Sequence, residues 1–141
     1  MTNYKLIQLT NNSLGAVAVN QNIPLGTVTR RINAPYNCCN TFTVTTSAND
    51  TVVLNDVGSY KVTYSLTATA AAAGEVTTNL VVNGVATYGV TQTIVDEANA
   101  VNSTLVYTIR VTSDKVPTTV QLQNVGIALT GETANLIIEK I

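Results

Sequence analysis

The feature that most constrains the fold of this 141-residue chain is a central stretch in which apolar and polar residues alternate strictly. Successive side chains of a β-strand point to opposite faces of its sheet, so a period of two indicates a strand with one buried face. The stretch follows Gly58 and predicts the buried set Tyr60, Val62, Tyr64, Leu66 and Ala68. We therefore expect a long, half-buried strand in the middle of the chain.

Other segments rich in β-branched residues are separated by turn-forming Asn, Asp and Gly. They lie at 4–9, 14–19, 27–29, 41–46, 51–54, 76–82, 85–93, 105–111, 116–123 and 134–141. In the segment 105–111, the inward set is Leu105, Tyr107, Ile109 and Val111. No segment has helical periodicity, and no domain boundary is visible. About ten evenly spaced strands predict an all-β fold, a two-sheet sandwich or jelly roll in which residues 1–141 form a single domain.

The clearest turn signal is the dipeptide Asn83-Gly84, which stands between two of these segments. Asn-Gly favours a two-residue hairpin turn because both of its central residues need a positive φ. The alanine-rich stretch 68–73, which Gly74 follows, is predicted to be a strand end and a loop rather than a helix. Its small side chains would let another backbone approach closely, for example that of a neighbouring subunit.

Charge and residue usage exclude several classes of function. The chain has seven Lys and Arg, eight Asp and Glu and no His. Scattered cations give no footprint for nucleic acid, and the absence of His removes the commonest general base and metal ligand. No stretch approaches the ~20 apolar residues of a membrane helix. Residues 1–13 do not resemble a secretory signal, so we expect a soluble chain made without its own export signal.

Motifs that could carry chemistry are weak. Cys38 and Cys39 are adjacent, and we interpret them as unreacted thiols, with a redox switch or a cross-link between chains as the alternatives. Asp96 and Glu97 suit a solvated loop better than a metal site, and Arg30-Arg31 suits a solvated turn or an intersubunit contact. No nucleophile elbow or phosphate loop is present. We therefore predict no enzymatic activity, no cofactor and no metal. Polar loops such as 87–102, or rows of Thr and Ser, could contact sugars.

Several segments, in order, resemble one family of jelly rolls. Gly58–Ser65 reads G-x-Y-x-V-x-Y-x, the small residues Ala70–Ala73 follow, and Leu80–Val85 reads L-x-x-N-G-V. The apolar segment Ala134–Ile141 closes the chain. This order resembles the globular domains of C1q and tumour necrosis factor (TNF), in their bacterial or bacteriophage form, over roughly residues 41–141.

The resemblance implies a ten-stranded, two-sheet jelly roll that assembles as a homotrimer and is not an enzyme. It favours a structural or surface-display protein on a bacteriophage virion, made in the host cytoplasm: a head fibre, a capsid decoration or a receptor-binding tip. The alternative is a carbohydrate- or cell-surface-binding module, such as a bacterial spore-surface jelly roll. Other virion proteins or a host glycan are the expected further partners. The expected core or trimer interface comprises Tyr60, Val62, Tyr64, Leu66, Leu105, Tyr107, Ile109 and Val111.

Overall fold

The computed structural model describes residues 4–33, 41–45, 49–96 and 99–141, and these form strands joined by short turns. The strands are β1 (Lys5–Asn11), β2 (Gly15–Val17), β3 (Thr27–Asn33), β4 (Phe42–Val44), β5 (Val52–Leu54), β6 (Gly58–Ala70), β7 (Gly74–Val82), β8 (Val85–Ile94), β9 (Ala100–Val111), β10 (Thr118–Gly126) and β11 (Leu129–Lys140). One 3₁₀ turn, η1 (Ser113–Lys115), precedes β10. The cysteine pair at 38 and 39 and residue 97 lie outside the described residues.

The strands form two antiparallel sheets. Sheet A has the order β3-β1-β11-β6-β9, with β2 also paired to β11, and sheet B has the order β4-β5-β10-β7-β8. The predicted all-β, two-sheet jelly-roll fold is therefore confirmed, with eleven strands in the described part of the chain.

The core lies between the inner faces of the two sheets. Burial along β6 alternates as the sequence pattern predicts, and the inward residues of β9 follow the same rule. Each large apolar side chain buried in this way contributes about 1.5–3 kcal/mol. The exposed fraction is at most 6% for Tyr60, Val62, Tyr64, Leu66, Leu105, Ile109 and Val111. Tyr107 differs from these seven and is described below.

The turn between β7 and β8 consists of Asn83 and Gly84, whose φ angles are 50° and 78°. Asn83 also ties this turn to the start of β10. Its backbone N–H donates to the Thr119 carbonyl oxygen (3.0 Å), and its side-chain oxygen accepts from the Thr119 N–H (2.9 Å). The hairpin is therefore anchored to the neighbouring strand as well as formed locally.

Some strand bounds differ from the sequence prediction because pairing, rather than local pattern, determines them. β3 runs through Asn33 because its residues pair with β1, although residues 27–31 are exposed on both faces. β11 begins at Leu129, where it pairs with both β2 and β6. Near the end of β7, Val81 is buried and Val82 half-buried, contrary to the simple alternation, and the pairing with β8 shifts register at this point by one extra residue in β8.

Candidate interaction surfaces

The edge formed by β8 and β9 is the first candidate surface. β9 is an outer strand of sheet A, and β8 is an outer strand of sheet B. β8 is ten residues long, contains no charged residue and no proline, and is exposed over most of its length. The unpaired backbone groups of an outer strand can pair with a strand of another chain. Natural proteins usually prevent this with charged residues, proline or a loop or helix that covers the strand.

Two tyrosines bridge the sheets at this edge. The rings of Tyr88 on β8 and Tyr107 on β9 are stacked, with centroids 5.2 Å apart and an interplanar angle of 15°. Tyr88 is 42% exposed, and Tyr107 is half-buried against the core. Tyr107 was expected on the inward face with Leu105 and Ile109. It lies on that face but is only half-buried, because the ring that packs on it belongs to Tyr88, which is itself exposed.

Two exposed apolar side chains lie on the same two strands as the stacked tyrosines. Val85, at the start of β8, is 65% exposed, and Val106, on the outer face of β9, is 57% exposed. We call the set Val85, Tyr88, Val106 and Tyr107 the tyrosine edge. Its apolar and aromatic character, with no charge among its members, is typical of the centre of a protein interface.

Gln92, near the end of β8, connects this strand to β9 by hydrogen bonds. Its side-chain nitrogen donates to the Ala100 carbonyl oxygen, and its side-chain oxygen accepts from the Asn102 N–H, each at 3.1 Å. One side chain on β8 thus satisfies two backbone groups on the free edge of β9. No pattern in the sequence indicates this contact: the segment 85–93 is predicted to be a strand, and 87–102 to include polar loops that could contact sugars. The structure instead contains most of β8 and the start of β9 there.

The outer face of sheet A is the second candidate surface. The strand registers place Asn135, Ser65 and Thr104 in one row, and Ile137, Thr63 and Val106 in the next. None of these six residues is charged. The Asn135 side-chain oxygen accepts from Gln8 Nε2 (3.0 Å) and Thr10 Oγ1 (3.1 Å), which fixes the amide in the plane of the face. The following row contains charged residues, with Glu139 opposite Lys61.

Arg30 and Arg31 lie on β3, at the far edge of sheet A, and both are exposed. The sequence analysis interprets them as a solvated turn or an intersubunit contact, and a turn is not what the structure contains. The pairing of Gln8 with Arg30 and of Ile7 with Arg31 makes them strand residues instead. Arg30, opposite Gln8, therefore lies on the outer face of sheet A at the edge away from β9, whereas Arg31, opposite the buried Ile7, lies on the inner side of the same edge.

The main charged cluster surrounds Asp56 at one end of the sandwich. The Asp56 carboxylate accepts a hydrogen bond from Thr41 Oγ1 (2.6 Å) and lies 3.1 Å from Lys5 Nζ and 3.8 Å from Lys140 Nζ. Burial alone would raise the pKa of Asp56, but the bonds from Thr41 and Lys5 and the two lysine charges outweigh it and lower this pKa. The Tyr60 hydroxyl donates to the Asp56 backbone oxygen at 2.7 Å. Burial and the Asp56 charge raise the pKa of Tyr60 to about 12.

The contacts of this cluster connect separate strands, which indicates a structural role. It joins the first residues of β1 and the last of β11 to the bend before β6 and to residue 41. Across the described ranges, no group of three or more His, Cys, Asp or Glu side chains is placed to bind a metal ion. No helix in the described part of the chain is long and apolar enough to cross a membrane.

Comparison with solved structures places this architecture in a known class of folds. The globular domain of zebrafish complement 1qA superposes with a TM-score of 0.65 and 6% identity, covering 97% of this chain and 96% of that one. Murine APRIL superposes with a TM-score of 0.66 and 9% identity, covering 98% and 99%. The PRD1 vertex protein P5 superposes with a TM-score of 0.59 and 16% identity, covering 97% and 96%.

The chain therefore has the jelly-roll fold of C1q and TNF-family domains. A phage vertex protein is among the proteins that share it. No family model matches the sequence, and no curated protein matches it. At these identities the likeness concerns the fold alone.

Proposed function

We propose that this chain is a non-enzymatic structural or surface-display protein that works as a homotrimer on a bacteriophage virion. The observation that carries the proposal is the tyrosine edge, which is a long uncharged strand edge with two exposed apolar side chains and a stacked tyrosine pair. An edge of this kind is stable in solution when another chain covers it.

A second copy of the chain is the partner we propose. On the outer face of sheet A, Ile137 on the central strand β11, Thr63 on β6 and Val106 on the outer strand β9 form an uncharged row, suited to a neighbour that lacks charge. The resemblance to C1q and TNF domains implies three copies around one axis. In such an assembly, the eight residues named from the sequence would form the core of each subunit, with Tyr107 continuing into the interface. Residues 1–141 would form one jelly-roll domain per subunit.

The virion role is supported by the shared fold of the PRD1 vertex protein. We propose that the chain is a head fibre, a capsid decoration or a receptor-binding tip at the virion surface. Other virion proteins or a host surface glycan would be its further partners. Detection of the chain by mass spectrometry in particles purified from infected cells would support this role. Its recovery only from bacterial cell or spore surfaces would favour the alternative, a surface-binding module.

The test of assembly is absolute mass in solution, measured by light scattering after size exclusion. We expect a mass near three times the 14.8 kDa of one chain. A mass of one chain at micromolar concentration would contradict the proposed trimer.

A matched pair of variants tests which surface makes the contact. Val85→Asp places a charge on the tyrosine edge at a residue of sheet B, away from the outer face of sheet A, and is expected to shift the mass towards one chain, because a buried unpaired charge is costly. Val19→Asp places the same charge at a valine with 47% exposure, away from this edge, and is expected to leave the mass unchanged. Equal masses for both variants would remove the tyrosine edge from the interface.

A further inference from the structure

The interior of the sandwich contains four polar side-chain atoms that lack a hydrogen-bond partner within the described chain. They are Tyr64 OH, Thr78 Oγ1, Ser103 Oγ and Asn124 Oδ1. Their residues are at most 4% exposed. Buried polar atoms almost always have a partner, which is either another protein group or an ordered water, so four such atoms in one core need an explanation.

Strand pairing groups these atoms in two pairs. On sheet B, Thr78 lies directly opposite Asn124, a position in which Cβ atoms are about 5 Å apart. On sheet A, Ser103 lies directly opposite Leu66, so Tyr64 is its diagonal neighbour, within reach of an aromatic side chain. Each pair thus occupies one small area of an inner sheet face.

The crossover between the sheets brings the two pairs to the same height. β6 ends at Ala70 and β7 begins at Gly74, with a bend of three residues between them. Leu66 precedes the end of β6 by four residues and Thr78 follows the start of β7 by four, and strands rise about equally per residue, so we infer that these two positions lie at the same height above the bend. Stacked sheets are about 10 Å apart, and the short side chains of Ser103 and Thr78 do not span that gap.

The chemistry of the four atoms is complementary. The amide nitrogen of Asn124 donates to the carbonyl oxygens of Ala18 (3.3 Å) and Ile127 (2.9 Å), so its oxygen is left as an acceptor. The other three atoms are hydroxyl oxygens, each able to donate and accept. Burial raises the pKa of Tyr64, so its hydroxyl stays protonated and remains a donor. A water molecule, which donates two hydrogen bonds and accepts two, matches this mixed set.

We propose that this layer of the core is a hydration site, in which ordered water bridges Tyr64, Thr78, Ser103 and Asn124 between the two sheets. The ligand class is water because the groups are uncharged, mixed in donor and acceptor character, and closed off from solvent. The site is independent of the proposed assembly, since it lies inside one chain.

The test is ¹⁷O magnetic relaxation dispersion on the intact protein, which counts waters held far longer than surface waters. We expect an amplitude of at least one long-lived water per chain in the wild type. In the double variant Thr78→Val/Ser103→Ala, we expect that amplitude to fall by at least one water. The amide spectrum of this variant should remain that of a folded protein. No long-lived water in the wild type, or an equal amplitude in the double variant, would overturn the proposal.

Thr118→Val is the matched control, because the Thr118 hydroxyl is equally buried but already donates to the Lys115 carbonyl oxygen at 2.6 Å. Its amplitude should equal that of the wild type. If the double variant fails to fold, Ser103→Ala alone, which removes a single oxygen atom, makes the same comparison. A fall in amplitude confined to the Ser103 variants supports the site, and an unchanged amplitude opposes it.

Discussion

Lys5 and Asp56 are 51 residues apart in sequence, yet the Lys5 ammonium nitrogen lies 3.1 Å from the Asp56 carboxylate. Lys140 approaches the same oxygen to within 3.8 Å. One carboxylate therefore connects the start of β1 and the end of β11, which are neighbours in sheet A, to the bend that precedes β6.

We expect Asp56→Asn to lower the free energy of unfolding by about 1 kcal/mol at neutral pH, because it leaves two neighbouring ammonium groups without their partner. Urea unfolding of the variant measures the loss. Asp96→Asn, in the exposed bend after β8, is the control and should change stability by less than about 0.5 kcal/mol. Equal stability of both variants would show that the cluster contributes nothing.

The contribution of Asp56 should depend on pH with a defined sign. Its pKa in the folded protein is lower than the ordinary value, so the carboxylate stabilises the fold above the unfolded pKa of about 3.9. That stabilisation is lost as pH falls through this value towards the folded pKa. The difference between wild type and Asp56→Asn should therefore be constant from about pH 5 to 8 and shrink below about pH 4. A difference that grows on acidification would contradict the cluster geometry.

Gly26 and Gly84 share a φ of +78° but differ in their surroundings. A Cβ at Gly26 would collide with the Thr10 carbonyl oxygen and with Asn11, whereas a Cβ at Gly84 would meet no atom within 4 Å. Alanine at Gly84 should cost about 1–2 kcal/mol from backbone strain alone. Alanine at Gly26 should cost more, because backbone must also move. Thermal unfolding of the two variants compares these costs. Equal losses of stability would show that the backbone of β1 moves to accommodate the new Cβ at little cost.

Tyr64→Asp should prevent folding. The side chain is 1% exposed and its hydroxyl has no hydrogen-bond partner within the described chain, so the new carboxylate would be buried without a charge partner. Circular dichroism and the amide spectrum report the outcome. Val19→Asp, at an exposed site, should fold normally. A folded Tyr64→Asp variant of ordinary thermal stability would mean that the register of β6 is wrong.

Gln92→Ala should loosen the β8–β9 edge locally. The variant loses both bonds to the β9 backbone, and a hydrogen bond contributes about 1 kcal/mol, so exchange of the Asn102 amide proton should accelerate about fivefold. Gln123→Ala, which removes a side-chain bond to the Asn20 carbonyl oxygen, should leave this amide unaffected. Unchanged exchange at Asn102 in the Gln92 variant would show that β9 is held there by other contacts.

The sequence predicted those parts of the fold that depend on local pattern. Alternation along β6 and β9 identified the long strands, because one face of each packs in the core and the other faces outwards. Asn83-Gly84 identified the hairpin, because few other residue pairs adopt two consecutive positive φ angles at low cost.

The candidate surfaces depend on pairing over long distances and were not predictable in this way. Nothing near Tyr107 indicates that β9 is an outer strand, or that a tyrosine from β8 would stack on it. Likewise, the exposed run 27–31 has no alternation, and it becomes a strand only because β1 lies beside it. The roles of Gln92 and Asp56 also come from partners outside their own segments.

The position of β11 in sheet A has a consequence for biosynthesis. β11 lies between β1 and β6, and it follows every other described strand in the chain. While the ribosome is still translating it, β1 and β6 have no central partner, and their facing edges and inner apolar faces stay open. Sheet A therefore stays incomplete until β11 has been made, and a chain that lacks β11 exposes unpaired strand edges and apolar surface, which favour aggregation.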